Sequence, residues 1–450
     1  MKSRTRSLHK GHHSIYIRVL GRIARFFPNF SRRLRAGDSG QRGVARSPAA
    51  RRGWVIELAK TFRGRRPFRR GAGYHGFLEG TAIPSAKEQA DLTVDRTITS
   101  RDLSILDRLF ETPDLYVRDV DWKTCEAICL RMSRDSYARS SFLDHRTIAD
   151  AEGDSRLPVA ALMDAYGRQR PRLGPSMFIA HTALCGSTLL TRCIDLPGIC
   201  MTYREPFLFH NLSGIWRLGL QEKVHARIGR REPPILDLAL ALCARTYDDE
   251  ERSVVKLSDT CTSLLPPILA RSPDSRVLLM YHELERFLLA MLRHESRRQY
   301  VRNMRIRAEV DLRAVGREDI TSTEDLSDAR CAALVWMGLM YPYRRLLAKA
   351  PDRVRSLNAA TFFTHPADVL ETLDEFFHLD IGKERLQAQI AGGAMNRDAK
   401  HTERTFDADR YKADLESAAA ELRHEIDDAI AWTERVSAVE PLGSTLPNPL

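Results

Sequence analysis

The chain has 450 residues, 43% of them hydrophobic, which is enough to bury one large core or two smaller ones. No run of 18 or more apolar residues occurs in it, so a transmembrane span is not expected, and a secretory signal is not expected because arginines interrupt the apolar part of the N-terminus. Its eight cysteines are scattered, without the second pair or the histidine cluster of a zinc site. We interpret them as reduced thiols of a cytoplasmic protein.

The net charge of +11 is distributed unevenly along the chain. Residues 1–80 contain 20 Lys and Arg against three acidic residues, a balance of +17, which leaves 50 basic and 56 acidic side chains, a balance of −6, in the other 370 residues. We therefore predict a basic tail over residues 1–95 that is disordered in isolation and attracts membrane surfaces or polyanions weakly, without specific nucleic-acid recognition. The alternative is that the tail has no role.

Residues 15–27 of this tail have apolar side chains on one helical face and arginines on the others. Three interpretations of this amphipathic helix stay open. It lies on a membrane surface, which would make the protein peripheral to a membrane, it docks on the body of the protein, or it belongs to an organelle transit peptide.

Residues 96–170 have apolar residues at helical spacing, and we predict a helical lead-in there. The second predicted helix contains Cys125, Ile128, Cys129 and Met132. Asp121 is placed to accept hydrogen bonds from the amides of its first turn.

Short apolar runs alternate with helical patterns over residues 171–440. The predicted strands are 177–180, 198–203, 253–257, 276–281 and 353–357, and the predicted helices are 187–194, 234–247, 262–270, 283–298 and 329–348. Strands separated by such helices require crossover connections, so we predict an α/β domain of the P-loop type, a mainly parallel sheet with helices on both faces. Ligands of such sheets bind at the carboxyl ends of the strands.

The first strand of this domain leads to the turn C-G-S-T, and a helix follows. Small residues let successive amides point at a phosphate, and the helix N-terminus adds partial positive charge. The predicted phosphate contacts are Thr182, Cys185, Gly186, Ser187 and Thr188. A nucleoside-triphosphatase loop would need a glycine where His181 stands and a lysine before Ser187, and both are missing. The alternative is an ordinary strand-to-helix turn with Ser187 as the helix cap.

The order of strand, small turn, S-T-L-L, helix, P-G-I-C-M and R-E-P resembles the 5′-phosphosulfate loop of sulfotransferases, especially the tyrosylprotein and bacterial carbohydrate branches. The resemblance places C-G-S-T on the family's S-G-T-T and Glu205 on the acid that acts as general base. Residues 354–379 resemble the family's strand, loop, proline and helix ending in F-L-G-[LI], so that the likeness spans about residues 175–400. It implies a sulfotransferase fold and 3′-phosphoadenosine 5′-phosphosulfate as donor, with no metal required.

The chain departs from the family pattern at three places. The loop lysine that polarises the transferred sulfuryl group is replaced by Leu184. Lys256, at the end of a predicted strand, is the candidate substitute, and a solvated lysine at a strand edge is the alternative. The arginine and serine that bind the donor's 3′-phosphate are also absent, with Tyr281 at the arginine position, and we predict Arg286 and Arg293 in their place.

The third departure is the late segment that covers the nucleotide in the family. Its loose counterpart here consists of Gly392, Gly393, Asn396, Arg397 and Lys400. We interpret it either as a lid over an anion or as a linker between helices.

Three functions stay open. The preferred hypothesis is sulfuryl transfer to a hydroxyl or amine of a small-molecule, carbohydrate or peptide acceptor, with Glu205 as the base and His210 as the second candidate. The second is a nucleotide-dependent kinase or hydrolase that uses Lys256 and a magnesium ion near Asp259. The third is a non-catalytic binding protein that is attached through its basic tail.

Overall fold

The computed structural model describes residues 99–450 except for 152, 172, 174–176, 321–324 and 394–407. The predicted tail, its helix over residues 15–27, and Asn396, Arg397 and Lys400 of the predicted lid lie outside the described residues and stay predictions. Within the described part, no helix is both long enough and apolar enough to cross a membrane.

The described chain begins with a small antiparallel sheet in the place of the expected helical lead-in. Its elements are α1 (Ser100–Asp107), β1 (Leu115–Asp121), β2 (Glu126–Arg131), α2 (Arg134–Arg139), β3 (Ser155–Pro158) and α3 (Val159–Gln169), with the strand order β1-β2-β3. The helix predicted after Asp121 is wrong, because Asp121 lies in a β-hairpin and its Oδ1 accepts from the Lys123 amide at 2.9 Å. Asp favours turns as well as helix caps, and Ala127 and Cys129 are buried at the two-residue spacing of a strand.

A five-stranded sheet follows, and all of its neighbouring strands are parallel. Its strands are β4 (Met177–His181), β5 (Cys200–Arg204), β6 (Arg252–Lys256), β7 (Arg276–Tyr281) and β8 (Val354–Asn358), in the spatial order β5-β6-β4-β7-β8. The strands of the sequence prediction all recur with small shifts at their ends, because buried parallel strands are continuous apolar runs. The predicted α/β fold with a mainly parallel sheet is confirmed.

Helices connect and cover these strands. They are α4 (Ser187–Ile194), α5 (Phe207–Arg217), α6 (Gln221–Ile228), α7 (Ile235–Leu242), α8 (Leu265–Arg271), α9 (Leu284–Leu292), α10 (Glu295–Ala314), α11 (Asp328–Lys349), α12 (Ala359–Thr364), α13 (Pro366–Phe377), α14 (Lys383–Ala391), α15 (Ala408–Glu421) and α16 (Arg423–Val436). The single helix predicted over 283–298 is two helices, because His294 between them has an extended backbone.

The two faces of the parallel sheet belong to two hydrophobic clusters. Met177 and Ile179 of β4 pack with α4, α13 and α14 on one face. Phe178 and Ala180 belong to the larger cluster on the other face, which also contains buried residues of β1, β2, α3, α5, α7 and α11. This alternation follows from the two-residue period of a strand. Because the strands are parallel and adjacent in the order β5-β6-β4, their carboxyl ends lie side by side.

Candidate functional site

The loop between β4 and α4 is attached to the end of β7. The Thr182 amide donates to Met280 O at 3.1 Å, and Thr182 Oγ1 accepts from the His282 amide at 3.0 Å. His282 Nε2 lies 3.2 Å from Leu184 O. Because burial lowers the pKa of His282, its ring is neutral and can donate this hydrogen bond. These hydrogen bonds hold the loop against the end of β7, although the loop has little regular secondary structure of its own.

Three residues of this loop have a left-handed backbone. The φ angles are 66° at Ala183, 54° at Leu184 and 86° at Gly186. A non-glycine residue in this region is strained by roughly 1–2 kcal/mol, and such strain clusters at ligand sites. A Cβ on Gly186 would lie 2.7 Å from the ring of Phe363, whose side chain is 49% exposed. The φ of this residue therefore favours glycine, and any side chain here would also have to displace the exposed Phe363 ring.

The start of α4 has the features of an anion-binding helix N-terminus. Gly186 is the N-cap residue and no side chain caps the helix, so the alternative that gave Ser187 the capping role is wrong. Uncapped first-turn amides, together with the helix dipole, form an anion-binding arrangement. Ser187 and Thr188 both lie in this first turn and are nearly buried.

Cys185 points into the protein rather than out of the loop. It is fully buried, and its Sγ lies 3.7 Å from Met280 O. Burial raises the pKa of its thiol, but the adjacent His181 outweighs burial and the net pKa is lowered. A ligand in the loop would therefore meet the Cys185 amide and not its sulfur.

Lys256 and Glu205 form an ion pair beside this loop. Lys256 is the last residue of β6, its side chain is fully buried, and its Nζ contacts Glu205 Oε1. The interpretation of Lys256 as a solvated lysine is therefore wrong. Glu205 directly follows β5 with a φ of 55°, and its amide donates to Lys256 O at 2.7 Å. Its side chain is 15% exposed, so it is less completely buried than that of Lys256.

A third group reaches the same carboxylate from the loop side. His181 Nε2 lies 3.4 Å from Glu205 Oε1, and its side chain is buried. Burial would raise the pKa of Glu205, but the charge of Lys256 and the contact with His181 outweigh burial, so that this pKa lies well below the usual range. Lys256, Glu205 and His181 come from three neighbouring parallel strands, which is why the carboxyl edge of the sheet brings them together.

His210 lies near the pair but in a different hydrogen-bond arrangement. It is on α5, its ring is stacked on Phe207 with 5.2 Å between centroids, and its Nδ1 lies 2.7 Å from Thr260 Oγ1. Burial lowers the pKa of His210 to about 4. The ring is therefore neutral at pH 7. His210 bonds Thr260, whereas Glu205 contacts His181 at the start of the loop.

The two arginines predicted to bind the donor's 3′-phosphate are on or next to α9, which follows β7. Arg286 is exposed and contributes to the lowered pKa of His282, whose ring bonds the loop at Leu184. Arg293 is the C-cap residue of α9 and is partly buried. The helix separates them by roughly 10 Å along its axis, and their predicted roles remain predictions.

Asp259, the residue suggested for a magnesium ion, already has partners for both carboxylate oxygens. Tyr300 Oη donates to Oδ2, and Ser258 Oγ donates to Oδ1 at 3.2 Å. Across the ranges that the structure describes, no group of three His, Cys, Asp or Glu side chains is placed to hold a metal ion.

Sequence reasoning missed how the N-terminal unit holds Glu205. The Leu143 amide donates to Arg204 O at 2.7 Å, and Leu143 O accepts from the Phe207 amide at 3.0 Å, so that the two bonds flank Glu205. Arg204 itself is fully buried and donates to Ser140 O at 3.0 Å and to Asp195 Oδ2 at 2.9 Å. These bonds hold the guanidinium of Arg204 on the N-terminal unit and on Asp195 and not on the Glu205 carboxylate. Backbone bonds between distant segments leave no sequence pattern that would have predicted them.

The chain was compared with protein families, curated proteins and solved structures. No family model and no curated protein matches it. Among solved structures, a sulfotransferase from Alicyclobacillus acidocaldarius is similar at 13% identity and a TM-score of 0.28, over 59% of this chain and 95% of that one. A TM-score this low supports no argument about function by itself.

Proposed function

We propose that the protein is a sulfotransferase-like enzyme that transfers the sulfuryl group of 3′-phosphoadenosine 5′-phosphosulfate to a hydroxyl or amine of a small-molecule, carbohydrate or peptide acceptor. The observation that carries the proposal is the buried Lys256–Glu205 pair beside the uncapped start of α4. The choice of donor comes from the resemblance of C-G-S-T and R-E-P to the phosphosulfate loop of the sulfotransferase family.

The donor's 5′-phosphosulfate is proposed to bind the amides of residues 185–188. Its negative charge suits the positive end of the helix dipole and the amides of a first turn that has no side-chain cap. The strained backbone of Ala183 and Leu184 supports this role, because it turns the chain sharply between β4 and α4 without filling the space with long side chains.

Lys256 is proposed to replace the loop lysine that the chain lacks. An ammonium group in a water-excluded site interacts strongly with charge that develops in a transition state. Without ligand, this ammonium pairs with Glu205. When the donor binds, Lys256 turns to the sulfuryl group, next to the bridging phosphate oxygen on which negative charge develops as its bond to sulfur breaks.

This exchange of partners also changes Glu205. The charge of Lys256 is the main influence that lowers its pKa against burial, so a Glu205 that has lost this partner is a stronger base. It then removes the proton from the acceptor hydroxyl or amine while that atom bonds to sulfur. The leaving group departs as 3′-phosphoadenosine 5′-phosphate, and the proton ends on Glu205.

A thermal-shift titration of the full-length chain tests the donor class. The ligands are 3′-phosphoadenosine 5′-phosphate and, separately, ATP with magnesium. A ligand that binds only the folded state stabilises it by about 2.7 kcal/mol at a concentration of 100 Kd, and we expect this for the bisphosphate alone. Gly186→Val is the control, since it blocks the loop and should abolish the shift. Preference for ATP with magnesium would favour phosphoryl transfer, and no shift with either would favour a non-catalytic role.

A further inference from the structure

His181 joins the loop and Glu205 through the two nitrogens of one ring. Its Nδ1 accepts a hydrogen bond from the Ala183 amide at 3.0 Å. A nitrogen that accepts carries no proton, so Nδ1 is the unprotonated nitrogen and Nε2 carries the ring proton, while burial lowers the pKa of His181 and the contacts with Cys185 and Glu205 outweigh it and raise this pKa. Nε2 lies 3.4 Å from Glu205 Oε1 and makes no hydrogen bond of good geometry to any described residue.

A buried N–H without a full hydrogen bond is uncommon and marks sites where a partner arrives or moves. His181 is only 4% exposed, so water does not readily satisfy it. Lys256 Nζ and His181 Nε2 both approach the same oxygen, Oε1, so a Glu205 side chain that moves away from Lys256 can shorten its distance to Nε2. The Nε2–H group of His181 is thus available to Glu205 when the ion pair between Lys256 and Glu205 is broken.

We propose that His181 is a positioning residue that takes over Glu205 when Lys256 turns to the donor, and that it couples the orientation of the Ala183 amide to the placement of the base. The inference rests on the proposed function. It assigns a role to a position where phosphate-binding loops have glycine.

The groups that face this carboxylate come from each neighbouring element. Lys256 lies at the end of β6, His181 at the end of β4, and His210 on α5 contributes a weaker electrostatic interaction. Cys185 faces His181 from the loop. Without His181, the carboxylate in the donor-bound state would lose this neighbouring N–H donor, so it would be both less well placed and harder to ionise.

Two amide substitutions separate the two functions of the ring. In His181→Asn the side-chain oxygen takes the place of Nδ1 and can still accept from Ala183. In His181→Gln the side-chain amide extends to the place of Nε2 and can still donate to Glu205. Each variant therefore serves as the control for the other.

The readout is hydrolysis of 3′-phosphoadenosine 5′-phosphosulfate with water as acceptor, followed as release of the bisphosphate. We expect His181→Asn to lower kcat about tenfold, the value of one hydrogen bond to a charged group, with little change in the KM of the donor. The acid limb of its pH profile moves to higher pH, because Glu205 loses a group that favours its ionised form. His181→Gln keeps kcat within about threefold by the same reasoning. Equal losses in both variants, with no change in the pH profile, would overturn the proposal.

A second measurement does not depend on turnover. The change in unfolding free energy between pH 5 and pH 3 is measured in urea for wild type, His181→Asn, Glu205→Gln and the double variant. A carboxylate with a lowered folded pKa stabilises the protein above its unfolded pKa and loses this contribution as pH falls. His181→Asn should reduce that loss by more in the presence of Glu205 than in Glu205→Gln, where only the titration of His181 itself can change it. An equal effect in both backgrounds would contradict the coupling. If the coupling holds but the bisphosphate does not bind, the proposed function fails and the contact between His181 and Glu205 stands.

Discussion

Lys256 and Glu205 contact each other where two neighbouring parallel strands end, with the lysine fully buried and the carboxylate at the border of solvent. Two desolvated charges contribute little net stability as a pair, but removing one leaves the other buried and uncompensated. The pair therefore makes this edge of the sheet sensitive to any ligand that attracts one partner away from the other.

Each single substitution in the pair should lower the free energy of unfolding much more than the double substitution does. We expect Lys256→Met or Glu205→Gln to lower the free energy of unfolding by about 3–5 kcal/mol, and the double variant to recover most of it. Urea denaturation at pH 7 measures all three. Lys383→Met is the matched control, because Lys383 bonds Glu371 at 3.0 Å with 66% of its side chain exposed, and an exposed pair contributes less than about 1 kcal/mol. Additive losses in the double variant would show that the two residues are not coupled.

The buried ring of His210 should make the protein less stable in mild acid. Burial lowers its folded pKa to about 4 from an unfolded value near 6.5. Below pH 6.5 the unfolded chain binds the proton and the folded protein does not, so stability falls as pH decreases. The expected loss between pH 7 and pH 5 is about 2 kcal/mol. His210→Asn does not titrate, and its amide oxygen can still bond Thr260. If this variant loses as much stability as wild type over that range, His210 is not the group responsible.

A lysine in the loop should compensate for the loss of Lys256. Leu184 stands at the position of the family's loop lysine and is partly buried in the loop. We expect Lys256→Met to reduce hydrolysis of the donor, and Leu184→Lys in that background to restore at least tenfold of the lost rate by returning a cation to the sulfuryl oxygens. Leu184→Lys alone should change the rate little. If the double variant is folded and Leu184→Lys does not restore the rate, then Lys256 does not act on the transferred group.

Substitution of Gly186 by alanine should be more destabilising than the same substitution of Gly229. Gly186 has a φ of 86° and would place a Cβ 2.7 Å from Phe363, whereas Gly229 has a φ of 74° and no atom within 4 Å of its Cβ position. Both alanine variants meet the backbone strain of roughly 1–2 kcal/mol. Only Gly186→Ala also displaces an aromatic ring, so we expect it to be the less stable variant in urea and to bind the bisphosphate more weakly. Equal stability of the two variants would show that the Phe363 ring gives way freely.

Some of this architecture could be predicted from sequence and some could not. The helix expected over residues 187–194 is α4 as observed, and β4 is one residue longer than predicted, because a buried strand followed by a small turn has a strong local pattern. The region of β2 was predicted as a helix, because a short run with apolar residues three and four apart fits both periods. The partnership of Lys256 with Glu205 depends on the strand order β5-β6-β4, which no local pattern contains.

His181 illustrates the same limit. In the sequence it is only the residue that breaks the nucleoside-triphosphatase motif. Its role depends on the left-handed backbone of the loop, which turns the Ala183 amide back towards Nδ1. It depends also on β6 lying between β4 and β5, so that His181 and Glu205 converge on the lysine at the end of β6.

The most direct test of the account is a crystal structure of the full-length protein with 3′-phosphoadenosine 5′-phosphosulfate bound. We predict the phosphosulfate against the amides of residues 185–188, Lys256 Nζ on the sulfuryl oxygens instead of on Glu205, and the Glu205 carboxylate within hydrogen-bond distance of His181 Nε2. A nucleotide bound away from this loop, with Lys256 and Glu205 still paired, would contradict the account.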